Sequence, residues 1–127
     1  MMGPVERAIR AAVREGQVLG SVSRNAPFTV GELGTESLIL VVGQGRWKVP
    51  TPWQALEQLP SFLKDRGWVK VGSIHSEDVD PESLDGFLRP FVARSGASYL
   101  PVVLEKAGVV EIDRRRPASI RLRDDWL

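Results

Sequence analysis

Cysteine is absent from this sequence of 127 residues, and histidine occurs only once, as His75. The absence of cysteine excludes disulfide scaffolds, zinc ribbons, thiol catalysis and cysteine-ligated iron–sulfur clusters. A single histidine also excludes most multi-histidine metal centres, and the acidic segment around it, Ser73 to Asp80, matches neither a helical ligand pair nor a calcium loop. We therefore expect no metal site and no cofactor.

Long hydrophobic runs are also missing. The longest candidate, Leu38 to Val42, has the length of a strand and falls far short of the roughly 18 residues that span a bilayer. The first residues, Met-Met-Gly-Pro, lack the apolar stretch of a secretory signal. These observations favour a cytoplasmic protein with no membrane partner.

The residues that are present have the composition of one soluble domain, with 43% hydrophobic and 26% charged residues and a formal net charge of +1. A chain of this length buries roughly two-thirds of its unfolded surface, which is enough for a core without metals or disulfides. The charge is unevenly spread: residues 114–123 contain five arginines and no acid, whereas residues 77–85 contain five acids and no base. The total charge does not identify a partner, but the basic tract is a candidate binding site.

The first part of the chain is predicted to form a helix and then an antiparallel β-meander. Within residues 1–20, apolar residues at helical spacing indicate an amphipathic helix from Pro4 to Val18. The following apolar runs alternate with glycine-containing turns, which predicts the strands Phe28–Leu33, Ser37–Val42 and Arg46–Val49. The second of these strands is apolar on both faces, so we expect it in the centre of the sheet with helical cover on each side.

A capping helix is predicted to follow the meander. The meander and this helix together extend over residues 28–72. The sequence Thr51-Pro52-Trp53-Gln54 is typical of a helix start, because threonine can cap and glutamine three residues later can bond back to it. Pro60 predicts a break near Leu59. Gly67 marks the end of the helix, and Trp68 to Val71 are predicted to form another strand.

Three tryptophans, Trp47, Trp53 and Trp68, flank the capping helix. We expect them to form one aromatic core cluster under that helix. The alternative is an aromatic cage that stacks on a base or holds a small ligand.

The second part of the chain, residues 81–123, is predicted to contain two helices and a hairpin. Asp80-Pro81 is a helix start, and Ser95-Gly96 is a turn. The second helix extends from Ala97 to Ala107 and is closed by Gly108. Two strands, Val109–Ile112 and Ser119–Leu122, then enclose an arginine-rich tip.

The order of elements in residues 83–122, namely helix, Ser-Gly turn, helix, glycine, strand, arginine-rich tip and strand, resembles the helix-turn-helix and wing of the winged-helix superfamily. Leu104 to Val110 resembles the join between the second helix and the wing. The resemblance implies that the second helix enters the major groove of DNA while the wing contacts the backbone or minor groove; other winged helices bind only proteins. The expected fold is a single α+β domain over residues 1–127, with a winged-helix-like part at 81–123.

The arginine-rich tip supplies the candidate phosphate contacts, Arg114, Arg115, Arg116 and Arg121. Clustered guanidiniums repel one another, and phosphates relieve that repulsion through bidentate hydrogen bonds. The alternative is that neighbouring acids pair with these arginines and leave a solvated hairpin without a ligand. Those acids are Glu111, Asp113, Asp124 and Asp125.

The second helix offers only Ser98, Tyr99 and Lys106 as candidate groove contacts, and Tyr99 is as compatible with a core position. Few of its side chains are of the kind that reads base edges, so binding would be directed mostly at the backbone and would weaken steeply with salt.

The sequence thus favours a non-enzymatic bacterial DNA-binding protein, a regulator of transcription that binds double-stranded DNA and can form a homodimer. The alternative is a protein-protein interaction adaptor or the dimerisation module of a larger complex, because the total charge is near zero and the second helix is poor in base-reading residues. An enzyme would need catalytic carboxylates in the acidic segment, such as Glu77 or Asp78.

Overall fold

The computed structural model describes residues 2–72, 80–92, 96–115 and 117–126. The predicted Ser73–Asp80 loop, except Asp80, lies outside the described residues, and so do Ser95 and Arg116. Four helices and seven strands are described: α1 Pro4–Ala12, β1 Val18–Gly20, β2 Pro27–Leu33, β3 Ser37–Val42, β4 Trp47–Pro52, α2 Trp53–Leu63, β5 Val69–Lys70, α3 Leu84–Leu88, α4 Leu100–Lys106, β6 Val110–Asp113 and β7 Ser119–Leu122.

The strands form two antiparallel sheets, a four-stranded meander in the order β1-β2-β3-β4 and a three-stranded sheet in the order β5-β7-β6. The predicted α+β class, the N-terminal helix and the antiparallel meander are therefore confirmed. One hydrophobic cluster contains residues from both sheets and from all four helices.

Helix α1 is shorter than predicted, because the chain is already extended at Val13. The Gly16 N–H donates to the Val30 carbonyl at 2.7 Å, and the Val30 N–H donates to the Gln17 carbonyl at 2.9 Å. These bonds lead into β1, a strand that the sequence did not predict. The segment after α1 is thus bound to the edge of β2 instead of continuing the helix.

Strand β3 is central in the meander, as predicted, but the described residues cover only one of its faces. Leu38, Leu40 and Val42 are buried. Ile39 and Val41, which alternate with them, are half-buried and do not belong to the core cluster of the described residues. Of the predicted cover on both faces, the described residues provide it on one, where Leu38, Leu40 and Val42 share a core cluster with the helices.

The start of α2 differs from the predicted cap. Strand β4 continues through Thr51, which pairs with Leu38, so the threonine is buried in the sheet. Its hydroxyl has no partner among the described residues. The N–H of Trp53 donates instead to the Glu36 carbonyl at 3.0 Å. The helix also continues through Pro60 without the predicted break.

The second part of the chain differs from prediction in its pairing and its caps. Strand β5 pairs with β7, so it belongs to the second sheet and not to the meander. Helix α3 is capped by Ser83, whose hydroxyl accepts the Gly86 N–H at 3.1 Å, and not by Asp80. Helix α4 is shorter than predicted and is followed by Gly108 at φ +79°. The predicted β6–β7 hairpin is present.

Candidate functional site

The described arginines of the basic tract are all ion-paired. The Arg114 guanidinium bonds both carboxylate oxygens of Glu105, at 3.1 and 2.9 Å. The remaining pairs are Arg115 with Asp113 at 2.7 Å, Arg121 with Glu111 at 2.8 Å and Arg123 with Asp125 at 3.0 Å.

These pairs change the electrostatics of the hairpin. Hydrogen bonds from the Arg115 side chain and backbone lower the pKa of Asp113 to about 2. The side chain of Arg123 likewise lowers the pKa of Asp125. The Asp113 carboxylate therefore stays ionised as pH falls through the usual aspartate range, and the Arg115–Asp113 pair is lost only when pH falls through the pKa of about 2. The mutual repulsion among the described arginines, on which the phosphate prediction depended in part, is therefore compensated by neighbouring acids.

Helix α4 is a core helix. Its first five residues, Leu100 to Leu104, are all buried, and α4 packs against β6 and α1. A helix that enters the major groove must present side chains to the bases. The covered surface of α4 leaves only its last turn exposed, at Lys106.

The remaining predicted contacts lie at opposite ends of α4. Before its first turn, the Ser98 carbonyl accepts the Val22 N–H at 3.0 Å, and the Tyr99 ring meets Phe28 edge to face at 5.3 Å. Lys106 lies at the other end, next to the Glu105 that pairs with Arg114. Seven helical residues span about 10 Å. The structure therefore brings Lys106 and the tip together but places Ser98 and Tyr99 against the first sheet.

The tryptophans do not form one cluster. Trp53 is buried, whereas Trp47 is 52% exposed and Trp68 is 46% exposed. The Arg121 guanidinium lies over the Trp68 ring at 4.8 Å. An open depression of about 270 Å³ beside Trp68 is lined by Arg66, Trp68, Val69, Lys70, Asp80 and Glu82. Sequence reasoning missed this aromatic and cationic surface, although the alternation of cations with tryptophan in residues 66–70 was visible.

A second surface that sequence reasoning missed is the side of the meander that the described residues leave uncovered, which we call the outer face. Backbone register aligns its residues in two rows across the sheet. Most of them are apolar or small, and Val18 is 62% exposed. The outer face consists of Val18, Thr29, Val41 and Lys48 in one row and Glu32, Ile39 and Pro50 in the other.

The outer face is continuous between its rows because Gly31 has no side chain. A β-bulge shifts the register between Val30 and Glu32. A Cβ atom on Gly31 would lie 2.9 Å from a methyl carbon of Val41. Glycine thus lets the Val41 side chain lie flat across β2 at this point.

Two properties of the described ranges bear on the class of site. In that part of the chain, no group of three or more His, Cys, Asp or Glu side chains is placed to hold a metal ion. None of the helices found there has the length and apolar character needed to cross a membrane.

Comparison with known proteins yields no assignment: no protein family, no curated protein and no solved structure matches this chain. The geometry of the two surfaces described above is therefore the basis for a functional proposal.

Proposed function

We propose that this chain is a non-enzymatic protein-interaction module and that it binds its partner on the outer face. The observation that carries the proposal is the outer face at β3, where Ile39 and Val41 are half-buried and lie outside the core cluster of the described residues. A sheet buries apolar residues on the faces that other elements cover. An apolar face that the described helices leave open is typical of a surface that a partner covers.

The sheet edge is less suited to binding than the face. Strand β4 forms one edge of the meander and contains Pro50 and Pro52. Proline has no N–H to donate to an added strand, and natural proteins use it to block edge pairing. This favours contact through side chains on the outer face over strand addition at β4.

The basic hairpin is the weaker candidate site. Its described arginines are paired with acids, and α4 is buried, so neither provides the uncompensated charge or the exposed helix that DNA recognition needs. These two features favour an interaction module over a DNA-binding protein.

A unique thiol on the outer face tests the proposal, because the chain contains no cysteine. We expect a Thr29→Cys variant to react with maleimide several-fold more slowly in cells of its natural source than in purified protein diluted until monomeric. A covered face excludes the reagent. Ser61→Cys, at an exposed position on α2, is the matched control and reacts equally fast in both settings. Equal rates for Thr29→Cys in both settings contradict the proposal.

A second candidate is DNA binding through the wing, and the order of elements favours it. The order α3, α4, β6, β7 is the helix, helix and hairpin order on which the resemblance of residues 83–122 to the winged-helix superfamily rests. The Arg115 side chain is 90% exposed. Ion pairs at such exposed positions contribute little to stability, so phosphates can displace them. In this candidate the chain is a bacterial cytoplasmic regulator of transcription that binds double-stranded DNA.

An electrophoretic shift titrated against salt tests the second candidate. Backbone contacts by the wing predict binding that falls steeply with salt, and the triple variant Arg114→Ala, Arg115→Ala, Arg116→Ala is expected to weaken it at least about tenfold through lost counterion release. A control variant, Arg7→Ala, Arg14→Ala, Arg24→Ala, removes the same charge at exposed positions elsewhere and should change affinity less. Failure to bind at low salt, or equal losses in both variants, rejects this candidate.

A further inference from the structure

We infer that the partner on the outer face is a second copy of this chain, so that the protein forms a symmetric dimer by packing two meanders face to face. This inference rests on the proposed function and names its partner. Three observations support it: the charges on the outer face, the placement of those charges and the net charge of the whole chain.

The outer face has one acid and one base at opposite corners. Glu32 lies on β2 beside Ile39, and Lys48 lies on β4 beside Val41. Both side chains are exposed, and neither forms an ion pair within the described ranges. Strand spacing places them about 12 Å apart on the diagonal. The apolar centre of the face lies between them.

Charged residues in the turns at the two ends of β3 continue this separation of acid and base. Glu36 precedes β3, and Arg46 lies in the turn that follows it. Both are exposed. One end of the face is therefore acidic and the other is basic.

A twofold axis pairs the acid at one corner with the base at the other corner of the partner, and it does so twice. In a symmetric interface, each contact occurs twice with the roles of the two copies exchanged. An axis that lies in the interface and crosses the diagonal at right angles brings each Glu32 opposite the partner's Lys48. The apolar centre then meets itself, and the strands cross at a steep angle, as in the orthogonal class of sheet packing.

The net charge of the chain also permits self-association. Its formal value is +1, so two copies repel each other only weakly. The two symmetric Glu32–Lys48 contacts supply orientation, and the apolar centre supplies most of the buried area.

Charge exchange tests the dimer. Sedimentation equilibrium of the purified chain is expected to give a dimer, and Glu32→Lys or Lys48→Glu alone should weaken it at least about tenfold because each sets like charges against each other twice. The double variant should restore dimerisation. An equimolar mixture of the two single variants should form a heterodimer, because two lysines of one copy then face two glutamates of the other.

The mixing experiment also serves as the folding control, since only folded single variants can recover association on mixing. A monomeric wild type, or a dimer that neither single change weakens, overturns the inference. If the purified chain is monomeric but its Thr29→Cys thiol is still protected in cells, the partner is not a second copy and the proposed function stands. If the chain is monomeric and the thiol is also unprotected in cells, both the dimer and the proposed function are rejected.

Discussion

Replacing Leu104 with alanine is expected to lower the free energy of unfolding by about 3 kcal/mol. Leu104 is fully buried in α4, and α4 packs against β6 and α1. The substitution removes buried methyl groups and leaves a cavity that the surrounding structure closes only in part. Urea denaturation followed by tryptophan fluorescence measures the change.

The same measurement on Lys106→Ala provides the control. Lys106 is exposed at the end of α4, so its truncation should change stability by no more than about 0.5 kcal/mol. The pair of variants decides what α4 does: a core helix is sensitive at Leu104 and insensitive at Lys106. Equal stability of the two variants would mean that α4 does not pack as the structure has it.

Replacing Arg10 with alanine is expected to destabilise the fold by about 3 kcal/mol as well. The Arg10 side chain bonds Glu6 at 2.8 Å, the Leu33 carbonyl at 3.0 Å and the Gly34 carbonyl at 2.5 Å. Its guanidinium also lies 5.1 Å from the centre of the Trp53 ring. Glu6 is only 8% exposed, so the substitution leaves a nearly buried carboxylate without its partner.

Two further variants make this prediction specific. Arg7→Ala changes an exposed arginine of the same helix and should alter the free energy of unfolding by about 0.5 kcal/mol or less. Arg10→Lys should recover only part of the loss, because an ammonium group lacks the planar fork that donates to three acceptors at once. Full recovery with lysine would show that charge alone, and not the geometry of the bonds, stabilises this contact.

Elements bounded by clear local signals were predicted well. Strand β3 and strand β7 have the residue limits that the sequence indicated. Glu36 and Gly43 flank β3, and Pro117 and Arg123 lie within two positions of the ends of β7. Such residues end a strand through backbone preferences of a few neighbouring positions. Strand β1 was missed because its three residues show no readable alternation and depend on pairing with β2.

Pro60 illustrates how tertiary contacts override a local rule. Proline removes one helical hydrogen bond, which predicted a break. Leu56, Leu59 and Leu63 are nevertheless all buried on one side of α2. Burial of three leucines stabilises the continuous helix by more than the lost bond costs.

The partners of the arginines were predictable only in part. Arg115 and Arg123 pair with acids two positions away, at Asp113 and Asp125. Arg121 meets Glu111 only because the register of the hairpin places these two residues opposite each other. Arg114 meets Glu105 only because the tip folds back beside α4. Charge counted along the chain therefore overestimated the charge available to a phosphate.

The amino-acid sequence by itself determined the α+β class, the meander and the terminal hairpin, because turn residues and apolar periodicity act over a few neighbouring positions. Only the tertiary structure decided that α4 is covered, that the described arginines of the basic tract are neutralised and that the other described residues leave one face of the meander open. Each of these depends on which distant segments come to lie against each other, and local patterns hold little information about that.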